Sequence, residues 1–204
     1  MAKLVVGAFL SVDGVMQAPG GPDEDRSGGF THGGWSVGYW DDAMGRIIVR
    51  WTDQADALLL GRKTYEIFAA YWPQVSDEDP IAAKLNRVRK YVASTTLQHV
   101  EWNNSTLIDG DVTEAVGRLK DEPGGEIQVH GSWGLIQTLV KHDLVDEYRL
   151  WWFPVLLGTG KRLFGDGTTP GGLELVDSTT SGTGVVISRY QRQGDIKYGS
   201  FALE

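Results

Sequence analysis

The sequence predicts an α/β fold, with a mostly parallel central sheet and an antiparallel C-terminal hairpin, and three observations carry that expectation. Strand-like and helix-like segments alternate four times before residue 143, the signature of crossover units joining parallel strands. Two segments, LVVGAFL at 4–10 and EYRLWWFPVLL at 147–157, are apolar on both pleat faces, as strands covered on both sides must be. After Gly172 the pattern is strand alone, interrupted by the turn residues Ser181-Gly182-Thr183-Gly184. At 204 residues the chain holds one full core but is short for two, so a single domain over 1–204 is expected.

The elements follow in order. The first strand, 4–10, runs into the turn SVDG. Residues 17–38 are rich in Gly with two Pro, a long irregular segment expected to bury little and to close on a ligand. From Asp41, apolar residues Met44, Ile47, Ile48, Trp51 and Ala55 recur at helical spacing. ALLLG (57–61) is a buried strand, followed by a helix over 64–71 with Thr64 as its cap, stopping before Pro73. Pro80 opens a third helix to about Lys90. KYVAST (90–95) and STLI (105–108) are short strands, and 113–120 is a helix ended by Pro123-Gly124-Gly125. EIQVH (126–130) is a strand and 132–142 a helix with Ser132 as cap. The run 147–157 is either central in the sheet or covered by a second subunit. LELVDST, VVISRYQR and KYGSFAL complete the strands.

Composition narrows the function. Zero cysteines excludes a disulfide scaffold, thiolate metal sites and cysteine nucleophiles, and no His/Asp/Glu grouping has metal-ligand spacing. A formal net charge of -8 argues against nucleic acid or an anionic membrane as partner, since both need an extended basic field. No apolar run approaches a membrane span, and the N-terminus reads as a first strand rather than a signal peptide, so a cytoplasmic location is expected. Tyr148, Trp151, Trp152 and Phe153 load aromatics on both faces of one strand, which predicts a homodimer.

Three strand ends suit one anionic ligand. In LLLGRKTYE (58–66), Gly61, Arg62, Lys63 and Thr64 place two cations at a helix start, where free N–H groups and the helix dipole attract an anion. In VHGSWG (129–134), Gly131, Ser132 and Gly134 form a turn a pyrophosphate can approach, although G-x-G-x-x-G is absent. In VASTT (92–96), Ser94 and Thr95 end a buried strand with hydroxyls suited to a ribose or phosphate. Ligands of open parallel sheets bind outside the strands' carboxyl ends, so the three together favour a dinucleotide. A serine hydrolase using Ser132 and His130 fails on spacing, because G-x-S-x-G is not met.

SVDGVM (11–16), LLLGRKTYE, VASTT, VHGSWG and especially DEYRLWWFPVLLGTGKRLF (146–164) resemble the dihydrofolate reductase superfamily, most closely bacterial proteins similar to the C-terminal reductase domain of the riboflavin-pathway deaminase-reductase. The resemblance implies a three-layer dihydrofolate-reductase-like fold, NADPH as hydride donor and a small pteridine-, pyrimidine- or sugar-linked heterocyclic acceptor reduced at a C=N or C=O bond. It implies that Gly61, Arg62, Lys63 and Thr64 hold the adenosine 2'-phosphate and pyrophosphate, that Ser94 and Thr95 lie on the adenosine side, and that Gly131, Ser132 and Gly134 lie beneath the pyrophosphate. Asp13, Met16 and His32 fall in the cover over nicotinamide and acceptor. Two departures stand out. The folate-reducing members' first-helix carboxylate has only Asp41 and Asp42 near its place, Asp42 being the catalytic candidate, with helix capping as the alternative. His130 stands where riboflavin-pathway members have an acid, either as a hydrogen donor or general acid or as a satisfied histidine at a strand end. The missing clear proton donor leaves a catalytically silent NADP(H)-binding sensor or scaffold as the alternative function.

Overall fold

The computed structural model describes residues 1–201. Eight strands form one sheet: β1 (Lys3–Ser11), β2 (Ala55–Gly61), β3 (Arg89–Ala93), β4 (Ser105–Leu107), β5 (Glu126–His130), β6 (Glu147–Phe153), β7 (Leu173–Thr180) and β8 (Val186–Arg192). Their order is β4-β3-β2-β5-β1-β6-β8-β7. The first six run parallel, and β8 joins both β6 and β7 antiparallel, as the alternating pattern and all-strand tail require. Five α-helices cover the two faces: α1 (Asp42–Asp53), α2 (Arg62–Tyr71), α3 (Pro80–Arg87), α4 (Val112–Asp121) and α5 (Trp133–Lys141).

Strand alternation sorts the core into layers. Leu4, Val6, Ala8 and Leu10 of β1, with Leu59 and Val129, pack under α4 and α5 through Val116, Ile136 and Leu139. On the opposite face Leu58, Leu60 and Val92 meet Tyr65 of α2 and Leu85 of α3, while Trp151, Phe153 and Ile187 meet Met44 and Trp51 of α1. This is the three-layer architecture expected.

Strand β6 is central, paired with β1 on one side and β8 on the other. Tyr148, Trp151 and Phe153 are buried within a single chain, so the aromatic loading that suggested a second subunit is spent on the two internal layers. Exposed apolar side chains lie instead on the edge strand β7, at Leu173, Leu175 and Val176. The strand stops at Phe153 rather than Leu157, since Pro154 has no N–H to continue the ladder. Residues 193–201 contain no strand, in contrast to the KYGSFAL expectation, whose last two residues lie outside those described.

Asp41 caps α1, its carboxylate accepting from the Met44 and Gly182 amides. The two other caps differ from expectation. Helix α2 begins at Arg62 with Gly61 in the cap position, and α5 begins at Trp133 with Ser132 left-handed at φ 65 and making no capping bond. The hydroxyls of Thr64 and Ser132 are used elsewhere.

Candidate active site

The sheet parts at one place. Strand β5 ends opposite Gly7, at His130, whereas β1 continues to Ser11 paired only with β6. The β2–β5 ladder ends at Leu58 opposite Gln128, although β2 continues to Gly61. A cavity of about 1230 Å³ lies over this notch, at the carboxyl ends of β1, β2, β3 and β5. That exceeds the roughly 300–1,000 Å³ of a cleft for one small ligand, so it has room for a cofactor and an acceptor together.

At one end two helix N-termini are joined side by side. The Ser132 hydroxyl accepts from the Gly61 amide at 2.9 Å and donates to Thr64 Oγ1 at 2.8 Å. A Cβ on Gly61 would sit 3.2 Å from Ser132 Cβ, so a larger residue there would have to push the two turns apart by a few tenths of an ångström. Gly131 and Ser132 are both left-handed, at φ 60 and 65, which turns the chain sharply from β5 into α5. The strain at Ser132 is held by its two hydrogen bonds. Ser132→Ala should therefore lower the unfolding free energy by about 1–3 kcal/mol in a urea titration, and an unchanged midpoint would remove this hydroxyl from the scaffold.

Around that joint, Arg62, Lys63, Ser94, Thr95, Gly131, Ser132 and Gly134 line one continuous wall with Gly61 and Thr64. A Cβ built on Gly134 meets nothing within 4 Å, leaving the approach to the turn open. Arg62 is paired with Glu66 one turn on, at 3.1 Å, and the Ser94 hydroxyl accepts from the Thr96 and Leu97 amides in the turn after β3. The nine cofactor-side residues expected from sequence are thus brought together, with donors and cations that fit a dinucleotide phosphate.

The other end is aromatic and carries a buried polar file. Phe9, Trp40, Ile48, Trp51, Trp151 and Met16 wall it. Glu126, Gln128 and His130 alternate along β5 and so point to one face, beside Arg149 of β6. Arg149, 3% exposed, donates to Glu126 at 2.6 Å and to Glu147 at 2.8 Å, and lies over the Trp51 ring. Gln128 donates to the Trp51 carbonyl and to Glu126, which leaves its Oε1 to accept from His130 Nε2 at 3.1 Å. Burial, seconded by the Arg149 guanidinium, holds the His130 pKa down at about 4. The Nε2–H of His130 is given to Gln128 and burial disfavours the charged ring, an arrangement that matches the satisfied-histidine alternative of the two expected for it.

Three other expected residues stand apart. Asp42 is exposed in the first turn of α1 and does not line the cavity, whereas Ile48, Trp51 and Thr52 of that helix do. Asp13 accepts from Ser11 and from the Leu157 and Gly158 amides, closing the turn after β1, and these bonds outweigh burial to hold its pKa down at about 2. His32 is exposed, edge-on to Phe30, outside the lining.

The glycine-rich segment has more structure than its composition suggests. Val15, Ala18 and Phe30 form a small core with Trp35 and Leu157. Buried Gln17 donates to the carbonyls of Asp25 and Ser27 and accepts from the Lys161 amide. A segment expected to bury little is folded around one amide side chain. Its residues 17–20, with Glu24 and Asp25, line the cavity, and Asp25 meets Lys63 at the start of α2.

Residues 2–187 match the family model described as the RibD C-terminal domain. The chain belongs to the RibD C-terminal domain family. This is a family of reductase-type domains, and the notch is its candidate active site here. Two Bacillus subtilis (strain 168) proteins are similar in sequence. Uncharacterized protein YyaP is 36% identical over 147 residues, covering 70% of this chain and 77% of that protein. Uncharacterized protein YwjB is 28% identical over 130 residues, covering 64% and 70%. Among solved structures, a putative riboflavin biosynthesis protein from Shewanella sp. PV-4 superposes with a TM-score of 0.66 at 20% identity, over 94% of this chain and 99% of that one. A pyrimidine reductase-like protein from Corynebacterium diphtheriae NCTC gives 0.62 at 14%, over 95% and 92%. This chain's eight-stranded, mostly parallel sheet with an antiparallel C-terminal pair matches the fold of RibD reductase-like structures. Among the described residues no helix is long and apolar enough to cross a membrane, and no three His, Cys, Asp or Glu side chains gather as a metal site.

Proposed function

We propose that this chain is an NADPH-dependent reductase passing a hydride to a C=N or C=O bond of a small pteridine-, pyrimidine- or sugar-linked heterocycle. One observation carries the reading: a single cavity joins a cationic double helix N-terminus to an aromatic-walled end, the two environments a dinucleotide phosphate and a planar acceptor require. NADPH, when bound, supplies the hydride. The chain's own part is to align, cover and polarise. Gly61 through Thr64 with Gly131, Ser132 and Gly134 grip the phosphates, while Ser94 and Thr95 take the adenosine side. Trp40, Trp51 and Trp151 set the plane of the acceptor, and the segment containing Met16 excludes water. Arg149 acts as a fixed donor and His130 as a fixed dipole, and the proton completing the reduction comes from solvent.

One observation favours a second reading, a silent NADP(H) binder. At the aromatic end the one N–H of His130 is spent on Gln128, and burial disfavours its charged form. NADPH oxidation against dihydrofolate, pyrimidine and flavin panels separates the two.

Arg62 gives the first test. A charge-assisted bond to the 2'-phosphate contributes roughly 1.5–3 kcal/mol, and about 1.4 kcal/mol is tenfold in affinity. Because Arg62 is already paired with Glu66, the low end applies. Arg62→Ala should weaken NADPH binding roughly tenfold and leave NADH unchanged in calorimetric titration. Equal losses for both would put Arg62 on the shared pyrophosphate, and no loss would remove it from the site.

A further inference from the structure

The rim of the cavity holds a charge cluster that links the cofactor cradle, through Lys63, to the cover segment, through Asp25. Lys161, in the turn region after β6, places its ammonium 2.5 Å from Asp25 Oδ2 and 2.8 Å from the Ser27 hydroxyl, and 5.6 Å from the centre of the Trp133 ring at the start of α5. Lys63, in the first turn of α2, stands 3.3 Å from the other oxygen, Asp25 Oδ1. One carboxylate thus spans two ammonium groups that come from different elements. All three residues line the cavity, beside the joint of α2 and α5.

Two cations facing one point from different elements repel each other unless an anion stands between them. Here the anion is Asp25, whose side chain is 17% exposed. Its backbone is fixed through its carbonyl by Gln17, while the side chain is joined to its neighbours only by polar contacts that another anion can replace. A carboxylate bridging two ammoniums presents the charge and paired oxygens of a phosphate.

We propose that Lys161 and Lys63 form a phosphate subsite in which Asp25 is a built-in placeholder, displaced when a phosphate-bearing ligand enters. The phosphate comes either from the cofactor's pyrophosphate, as the proposed function has it, or from a phosphorylated acceptor. Exchange has a signature that a structural latch lacks. Removing Asp25 removes a competitor, and removing Lys161 removes a ligand, so the two partners of one ion pair act in opposite directions.

The test uses the full chain and its Asp25→Asn and Lys161→Gln variants, titrated calorimetrically at low salt with NADPH, inorganic pyrophosphate and ribose 5-phosphate. Thermal melts verify that the variants are folded. The expected result is that Asp25→Asn tightens binding roughly three- to tenfold and Lys161→Gln weakens it roughly tenfold, for NADPH and pyrophosphate if the source is the cofactor, or for ribose 5-phosphate if it is the acceptor. Weakening by both substitutions would mean the pair is a latch the ligand needs intact, and would overturn the proposal, as would no change in either. If NADPH fails to bind the unaltered chain while pyrophosphate or ribose 5-phosphate shows opposite signs, the subsite stands and the dinucleotide reading falls. If NADPH binds without opposite signs and neither phosphate shows them, the reverse holds.

Discussion

Glu147→Leu should destabilise the protein by about 3–5 kcal/mol, and adding Arg149→Met should restore most of the loss. Glu147 is fully buried yet ionised, bonded to Lys3 at 2.5 Å, to Arg149 at 2.8 Å and to Arg189 at 3.2 Å. Burial alone would raise its pKa, but bonds from Arg189, Lys3 and Arg149 outweigh it and hold the carboxyl down at about 2. Lys3 and Arg189 are partly exposed and can turn to water when Glu147 is lost, whereas Arg149 at 3% cannot. Its Nη1 already lacks a partner, and the single variant strands the guanidinium with Glu126 alone. The double variant removes both buried charges and fills the space with apolar atoms, which is why the pair's loss is cheaper than the loss of one member. Chemical denaturation at pH 7 decides the matter. Equal midpoints for the single and double variants would show that the two charges are not coupled.

The second large effect is on the pH dependence of stability. His130 titrates near 6.5 when unfolded and is held at about 4 in the fold, so below pH 6.5 the unfolded chain binds the extra proton. Stability from this group is fully present above 6.5 and is lost as pH falls through 4, by about 3 kcal/mol in all. Asp13, Asp25 and Glu147, with lowered pKa values, begin to lose their contributions as pH falls through the ordinary carboxylate range and continue to lose them below it. Glu24, whose pKa burial raises, works in the opposite direction just above that range. Comparing the unaltered chain with His130→Gln between pH 7 and 5 isolates the histidine. Parallel stability curves would show that His130 is not held uncharged by the fold.

The fold was legible because its signals are local. Apolar runs on both pleat faces, Asp41 ahead of a helical repeat and the Ser181–Gly184 turn each need only their neighbours. The cofactor wall was legible for the same reason, as strand ends rich in Gly and cations. What failed is long-range. Thr64 and Ser132 looked like caps because each precedes or opens a helix, but they bond each other across 68 residues. Asp25 and Lys161 meet across 136. Asp42 looked catalytic by its place in a resemblance, yet α1 turns it away from the notch. The polar file was within reach: E-I-Q-V-H alternates three polar side chains on one face, and Arg149 is a cation inside an otherwise apolar run. Those are the marks of a buried polar face, and periodicity read for apolar residues alone passes over them.

The small core around Val15, Ala18 and Phe30 gives the cover packing of its own, joined to the sheet's aromatic layer through Trp35, which lies edge-on to Phe153. Residues 19–29 can be resized or exchanged at the expense of rim chemistry alone, while the layers beneath keep their packing. Changes there alter what the rim presents to a ligand, while Gln17, bonded to Asp25, Ser27 and Lys161, holds the two ends of the cover to the segment after β6.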